Sequence, residues 1–339
     1  MKEKFTIGVI TPSWAGPSAF PEVFELGINR LKEVFDFNVK EFTSTRGSHE
    51  DIYNNPKLRA GDLMEAYLDD EVDLIITSIG GNDSIRILPY IDIDKIKHIK
   101  KPLMGFSDIT TLLTFLNQNG MPTIHGPTIM AGFSEPIELT EEFIKHVKSF
   151  ISKDWDSYTY SNYSKWTESE AKWKDENFFQ FKKVFNENEG WKVLQGEGNF
   201  SGELYGGSLE IFEMMKGTPY MEDPSFLKGK VLILETSEEK PTASYITYAL
   251  RSMGMRGVFD NISGLVFGRG KGYSQEEKEK INKVIKKIVS VEFNKKDLPI
   301  VTNLDFGHTQ PQWILPFGIN CEINLNDQSL TINGNPFKT

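Results

Sequence analysis

Ser84 is the first candidate for chemistry, because it follows an apolar run and two glycines in LIITSIGGNDSIRILPYID, residues 74–92. Such a run predicts a strand buried on both faces. A serine after that strand's turn lies at the carboxyl edge of a parallel sheet, where open α/β sheets bind ligands. Free N–H groups at the start of the next helix can stabilise an oxyanion. The pattern suggests a nucleophile, although it is not Gly-x-Ser-x-Gly. An N-cap serine or a phosphate-binding turn remains the alternative.

A serine nucleophile needs a base, because its hydroxyl hardly ionises near neutral pH. The chain has five histidines: His49, His98, His125, His146 and His308. His308, in NLDFGHTQPQ, follows a predicted strand end and a glycine, and is the best-placed base. His125, in TIHGP, fits a structural role equally well. His146 is predicted on the polar side of its helix.

Glu235 is the candidate for the group that orients the imidazole. It ends the buried strand KVLILE, so its carboxylate is expected at the carboxyl edge of a sheet. Glu238 and Glu239 lie just beyond it and compete for the same role. Spacing along the chain leaves open whether Ser84, Glu235 and His308 meet in space.

The elements that must position these residues fall into three parts. Strands and helices alternate over the first 135 or so residues, which predicts a mostly parallel sheet with helices on both faces. Ser107 and Asp108 are predicted N-caps in this part. We therefore expect an N-terminal parallel-sheet α/β domain at residues 1–152, an aromatic connecting segment or lid at 153–198, and a C-terminal β-rich α+β domain at 199–339.

Composition limits the function. The 339 residues carry a formal net charge of −10, which disfavours a nucleic-acid polymer or an anionic membrane as partner. No stretch reaches the roughly 18 apolar residues of a membrane span. The single cysteine, Cys321, excludes an internal disulfide and a multi-cysteine metal site. An intracellular protein is the default expectation.

Seven motifs carry a family resemblance. They are TPSWAGP, GGNDSIRILPYID, GFSDITTLLTFL, HGP, GELYGGSLEIFEMMKGTPY, LILETSEEKP and DFGHTQPQWILPFG, in this order along nearly the whole chain. Together they resemble the serine peptidase family of LD-carboxypeptidases and its relatives, the microcin C immunity peptidases. Many relatives have asparagine just before the serine of the second motif, where this chain has Asp83. An acid there could repel an anionic substrate.

The resemblance implies two domains with a Ser-Glu-His triad at their junction. Carried over by motif, the nucleophile is Ser84, the acid is Glu235 and the base is His308. Backbone N–H groups of Gly81 and Ile85 are expected to form the oxyanion hole. The resemblance also implies a cytoplasmic homodimer with no metal or cofactor.

Two substrate classes compete within the family. Immunity-type enzymes cleave the amide between an aminoacyl or peptidyl group and a nucleotide-like moiety, whereas murein LD-carboxypeptidases release D-alanine from a tetrapeptide. The aromatic segment favours the first class, with Trp191 expected to enter the cleft and stack on a base. At least two of Trp155, Trp166 and Trp173 are expected only to pack the domain junction. A non-catalytic protein that binds a small ligand is the alternative of another class.

Overall fold

The computed structural model describes residues 4–136 and 139–338. Its strands are β1 (Thr6–Ile10), β2 (Asn38–Glu41), β3 (Leu74–Thr77), β4 (Leu103–Gly105), β5 (Thr123–His125), β6 (Ser157–Thr159), β7 (Lys165–Trp166), β8 (Asn186–Glu187), β9 (Lys192–Gln195), β10 (Asn199–Ser208), β11 (Val231–Glu235), β12 (Gly264–Gly268), β13 (Ile300–Leu304), β14 (Leu315–Phe317), β15 (Asn320–Asn324) and β16 (Ser329–Asn333).

The α-helices are α1 (Gly16–Ala19), α2 (Pro21–Glu33), α3 (His49–Asn54), α4 (Pro56–Leu68), α5 (Ile93–Ile96), α6 (Thr110–Gln118), α7 (Glu141–Phe150), α8 (Leu209–Met215), α9 (Ala243–Met255), α10 (Val258–Asn261) and α11 (Gln275–Lys286). Shorter 3₁₀ turns occupy Ser84–Tyr90, Ser107–Ile109, Phe178–Gln180 and Pro224–Leu227. The π-helical stretch Lys287–Glu292 continues α11. In the described part of the chain, no helix is both long and apolar enough to cross a bilayer.

The first sheet has the strand order β14-β5-β4-β3-β1-β2. Strands β1 to β5 are parallel, and β14 closes the edge antiparallel to β5. All four residues of β3 are buried, as a strand covered by helices on both faces requires. The loops that follow β1, β3 and β4 therefore emerge side by side at one edge of the sheet.

The second sheet has the order β6-β16-β15-β10-β11-β12-β13-β9. Its centre, β10 to β13, is parallel, and the first half of the long strand β10 pairs antiparallel with β15. A capping box formed by Ser274 and Glu277 begins α11. The predicted fold class, an α/β domain followed by a β-rich α+β domain, is confirmed.

The aromatic connecting segment contributes to both edges of the second sheet. Strand β6 pairs with β16 and β9 pairs with β13, while β7 and β8 form a separate two-stranded ribbon. A buried ion pair between Arg269 and Asp305 anchors the segment, with 2.6 Å between the guanidinium and carboxylate. The Asp305 carboxylate also accepts the Tyr163 N–H and an Asn188 amide proton. The connecting segment is thus attached to Asp305, which precedes His308 by three residues in the sequence.

His146 does not lie on a polar face, and that prediction is wrong. It is buried against the connecting segment, with Nδ1 2.7 Å from the Tyr158 hydroxyl. Its Nε2 accepts the N–H of Ile314, the residue before β14, at 3.1 Å. Burial lowers the pKa of His146 to about 3. The neutral imidazole therefore helps to hold β14 in the first sheet.

Candidate active site

The candidate site is a cleft of about 650 Å³ where carboxyl-end loops of both sheets meet. The first sheet contributes Trp14 after β1, Gly80 after β3 and Ser107 after β4. The second sheet contributes Glu238 after β11, Lys271 after β12 and His308 after β13. The far side is covered by residues 167–174 of the connecting segment, which we call the wall segment. Ligands of parallel α/β sheets bind at this kind of edge.

Glu235 and His308 lie together as the sequence suggested. The Glu235 side chain is fully buried at the end of β11, and its Oε2 is 2.6 Å from His308 Nδ1. Gly307 permits this approach: with φ +99°, a Cβ there would lie 3.0 Å from the Cβ of Glu235. A carboxylate on Nδ1 fixes the tautomer and leaves Nε2 to exchange a proton with substrate.

The electrostatics of His308 favour its charged form. Burial by itself lowers the pKa of His308, but Glu235 and then Glu238 outweigh that effect, so its net pKa lies above the ordinary 6.5. Glu238 is half exposed in the cleft, and its Oε2 lies 3.2 Å from His308 Nε2. The imidazole therefore has a carboxylate at each ring nitrogen.

Ser84 does not line the cleft, contrary to the position expected of a nucleophile. It is fully buried, its hydroxyl donates to the Asp108 carbonyl oxygen at 2.8 Å, and it also contacts the Thr111 hydroxyl. Its N–H donates to Asp108 Oδ2 at 2.9 Å. The 3₁₀ turn that begins at Ser84 directs this side chain against the neighbouring loop. Ser84 therefore supports the loop that carries Ser107 and Asp108.

Ser107 is the cleft serine that the sequence analysis treated only as a helix cap. It follows β4, lines the cleft with His308, and holds a φ of +60°, a conformation that is rare for a residue with a side chain. The intervening ring of Phe106 packs edge-on against the His308 ring, with centroids 5.0 Å apart. The available signal was a Ser-Asp pair one residue after a short buried strand, whereas Ser84 was chosen because it follows a buried strand and two glycines.

Neither of the two expected oxyanion donors, Gly81 and Ile85, lines the cleft. Ile85 follows Ser84 in the same 3₁₀ turn and has no place in the cleft. Gly81 has φ +148° and packs beside Ser13 and Trp14, one residue beyond the cleft-lining Gly80. The N–H that follows Ser107 belongs to Asp108, at the first turn of a helix where N–H groups lack helical partners. This N–H lies 3.6 Å from where a Cβ on Gly80 would be.

Trp191 does not enter the cleft, and that prediction is wrong. It is buried in the core, where its indole N–H donates to the Asn162 side chain at 2.9 Å and its ring packs against Trp313. Trp173 of the wall segment lines the cleft instead, parallel to Trp14 with centroids 5.9 Å apart and an interplanar angle of 6°. The aromatic surface of the cleft is thus built from the loop after β1 and from the wall segment.

Asp83 is not a free negative charge in the cleft. Its carboxylate accepts from the buried Arg59 and from Arg86, each at 2.9 Å. The expected repulsion of an anionic substrate at this position therefore has no source. Within residues 4–136 and 139–338, no three His, Cys, Asp or Glu side chains are grouped so that they could hold a metal ion.

Comparison with known families matches both halves of the chain. Residues 7–126 match the LD-carboxypeptidase N-terminal domain, and residues 201–323 match the LD-carboxypeptidase C-terminal domain. A Treponema pallidum protein that bears the name carboxypeptidase is 30% identical over 278 residues, which cover 81% of this chain and 76% of that protein.

The same comparison finds immunity proteins. The microcin C7 self-immunity protein MccF of Escherichia coli is 26% identical, over 81% of this chain and 78% of its own. A crystal structure of an MccF-like protein from Streptococcus pneumoniae in complex with AMP has a TM-score of 0.88 at 28% identity, over 98% of this chain and all of that one. A structure of MccF in complex with aspartyl sulfamoyl adenosine has a TM-score of 0.82 at 22% identity, over 98% and 97%, which shows a shared fold.

Proposed function

The chain belongs to the LD-carboxypeptidase family of serine peptidases, and on this premise we propose that it hydrolyses an amide through a Ser107–His308–Glu235 triad. The observation that carries the proposal is the strained Ser107 in one cleft with an imidazole whose other nitrogen is held by a buried carboxylate. Strained backbone of this kind concentrates at sites of function.

The proposed reaction has two halves. His308 Nε2 takes the Ser107 hydroxyl proton as the oxygen attacks the carbonyl carbon, and Glu235 stabilises the imidazolium. The Asp108 N–H is the first proposed donor to the oxyanion, with a glycine N–H after β3 as the second. The imidazolium then gives its proton to the leaving nitrogen, which departs and leaves an acyl-serine. Water, deprotonated by His308, displaces the serine oxygen and releases the acid.

We propose that the substrate joins an aminoacyl group to a nucleotide-like leaving group. Support comes from the parallel indoles of Trp14 and Trp173 on the cleft wall, because base–aromatic stacking is worth about 1–3 kcal/mol per base. AMP in the MccF-like relative and aspartyl sulfamoyl adenosine in MccF are ligands of that chemical class. In this proposal Trp173 takes the role that the sequence assigned to Trp191.

Two alternatives remain open to the same experiment. A murein LD-carboxypeptidase would instead release D-alanine from a tetrapeptide, and a relative from Bacillus subtilis is named as a murein peptide carboxypeptidase. A non-catalytic binding protein would still bind its ligand after substitution of the triad residues. On the basis of the family resemblance, we also propose that the protein is a cytoplasmic homodimer. Light scattering of the protein as it elutes from a size-exclusion column tests the dimer.

The deciding experiment compares serine variants. Wild-type protein, Ser107→Ala and Ser84→Ala are each given alanyl sulfamoyl adenosine and, separately, a murein tetrapeptide, and products are followed by mass spectrometry. We expect Ser107→Ala to lose at least about 10³-fold in kcat, because the nucleophile is gone. Ser84→Ala should stay within about tenfold of wild type, since its hydroxyl only supports the Asp108 loop.

The other outcomes are equally clear. Loss of activity in Ser84→Ala with a functional Ser107→Ala would restore the assignment made from the sequence. Release of D-alanine from the tetrapeptide, without release of alanine from alanyl sulfamoyl adenosine, would establish the murein alternative. Absence of turnover with both compounds would favour the binding protein.

A further inference from the structure

Glu238 is a carboxylate of the cleft that pairs with the proposed base, His308. Lys271, which also faces His308, is paired with Glu170 at 2.6 Å. Glu135 is paired with Lys183, and Glu168 accepts the Gly272 N–H at 2.9 Å. Among the described residues, the one ion pair of Glu238 is its 3.2 Å contact with His308 Nε2.

This contact occupies the nitrogen that the proposed chemistry needs. An imidazole with Glu235 at Nδ1 and Glu238 at Nε2 is stabilised as the doubly protonated cation, which cannot accept the serine proton. Glu238 is 55% exposed, so its side chain is free to turn toward a bound substrate. A cationic group on the substrate would draw it away from His308.

The distance between the scissile bond and the Glu238 carboxylate decides which cationic group of the substrate can make this contact. The nitrogen on an α-carbon lies about 2.5 Å from the adjoining carbonyl carbon. The base, in turn, lies about 3 Å from the serine oxygen that attacks that carbon. An α-ammonium next to the scissile bond therefore falls within the same few ångströms as the Glu238 carboxylate, whereas the amine of a long side chain extends farther away.

Building on the proposed function, we propose that Glu238 is a specificity residue that recognises a free α-ammonium on the acyl side of the scissile amide. In the empty cleft Glu238 pairs with His308, and in the complex it pairs with the ammonium. This transfer removes a negative charge from Nε2, so the imidazolium gives up its Nε2 proton to solvent water and becomes the base. Acyl groups whose α-nitrogen is absent or already in a peptide bond lack this trigger.

The experiment uses two substrates that differ in one group. Alanyl sulfamoyl adenosine carries the α-ammonium, and lactoyl sulfamoyl adenosine has a neutral hydroxyl of similar size in its place. We expect wild-type kcat/KM to favour the alanyl compound by about tenfold or more. Glu238→Gln should bring that ratio close to one, because it removes the contact with the alanyl ammonium and also frees His308 to act on the lactoyl compound.

Glu239→Gln is the matched control, because Glu239 is an exposed neighbour of equal charge that does not line the cleft. It should keep the wild-type ratio. In wild type, the acidic limb of kcat/KM should lie at higher pH than in Glu238→Gln, because Glu238 contributes to the raised pKa of His308.

The results separate the two proposals. Equal turnover of both compounds by wild type, or an unchanged ratio in Glu238→Gln, would overturn the role of Glu238 and leave the proposed function intact. Failure of wild type to hydrolyse either compound would overturn the nucleotide-type function, and the inference built on it would fall as well.

Discussion

At the scale of the residue, the site depends on the backbone of Ser107. A side chain held at φ +60° costs of order 1–3 kcal/mol, and it persists only where neighbours fix it. Those neighbours act through the next residue, Asp108, whose carboxylate accepts the hydroxyl of Ser13 at 2.7 Å and the N–H of Ser84 at 2.9 Å. The buried serine of the Gly-Gly turn thus stabilises the strained serine of the cleft.

The pH dependence of activity is the first prediction at this scale. The pKa of His308 is raised, so neutral imidazole is lost as pH falls through that raised pKa, and kcat/KM should fall with it. Glu235→Gln removes the larger of the two opposing carboxylate effects and lets burial dominate. We expect its acidic limb to move to lower pH and its plateau to fall by about 10²–10⁴-fold.

The measurement is a pH–rate profile from pH 5 to 9, with imidazole nitrogen chemical shifts as an independent titration of His308. A Glu235→Gln variant whose acidic limb stays at the wild-type pH would show that this carboxylate does not control the base.

At the scale of the element, β14 joins the two domains. It follows His308 along the chain, yet it pairs with β5 of the first sheet, where Leu315 lies opposite His125. The Ile314 N–H just before it is satisfied by His146 of α7. A neutral histidine is needed for that hydrogen bond, because only the neutral ring has an acceptor nitrogen.

Acid should therefore loosen this attachment. The pKa of His146 is lowered to about 3, so its contribution to stability is complete above the unfolded value near 6.5 and is lost as pH falls toward 3. His146→Leu should cost about 1–3 kcal/mol at pH 7, because it leaves the Ile314 N–H unpaired. It should also reduce the pH dependence of the free energy of unfolding by about 1.4 kcal/mol per pH unit between pH 4 and 6.

Urea unfolding of wild type, His146→Leu and the exposed control His98→Gln at pH 4, 5, 6 and 7 tests this prediction. The control should follow wild type. If the free energy of unfolding of His146→Leu depends on pH as steeply as that of wild type, the acid sensitivity would be assigned to His125. This residue is also buried and has a pKa lowered to about 3.

At the scale of the whole molecule, one cleft is shared by two sheets and closed by the wall segment. Backbone hydrogen bonds between Thr167 and Gln310 attach this segment beside His308, at 2.7 and 2.9 Å. The contact of Glu170 with Lys271 attaches it to the loop after β12. Because Trp173 then stacks on Trp14 of the first domain, a bound base would contact both halves of the molecule.

We therefore expect AMP to bind wild type and to raise its melting temperature by preferential binding to the folded state. Trp173→Ala should weaken AMP binding by about 5- to 150-fold, which corresponds to the loss of 1–3 kcal/mol of stacking. Trp173→Phe keeps an aromatic face and should retain most of the affinity.

Titration calorimetry with the three proteins measures the dissociation constants, and circular dichroism checks that the variants fold. Equal AMP affinity in wild type and a folded Trp173→Ala would place the base elsewhere.

Much of this organisation follows from the sequence because it depends on local pattern. The all-apolar β3 and the capping box of α11 each carry a signal in a few neighbouring residues. The pairing of Glu235 with His308 was also accessible, since each follows a recognisable buried strand. Polar side chains at the carboxyl ends of parallel strands in one sheet converge on one edge.

The identity of the cleft serine and tryptophan was decided by tertiary structure. Ser84 and Ser107 each come after a short buried strand of the same sheet, and the two glycines that favoured Ser84 do not reveal which side chain faces the cleft. The backbone at Ser107 turns through positive φ and faces the cleft, whereas Ser84 turns against the Asp108 loop. Trp191 and Trp173 differ in the same way, because long-range packing buries one in the core and leaves the other on the wall. Side-chain direction after a turn depends on contacts between residues far apart in the chain, and a linear sequence does not contain their geometry.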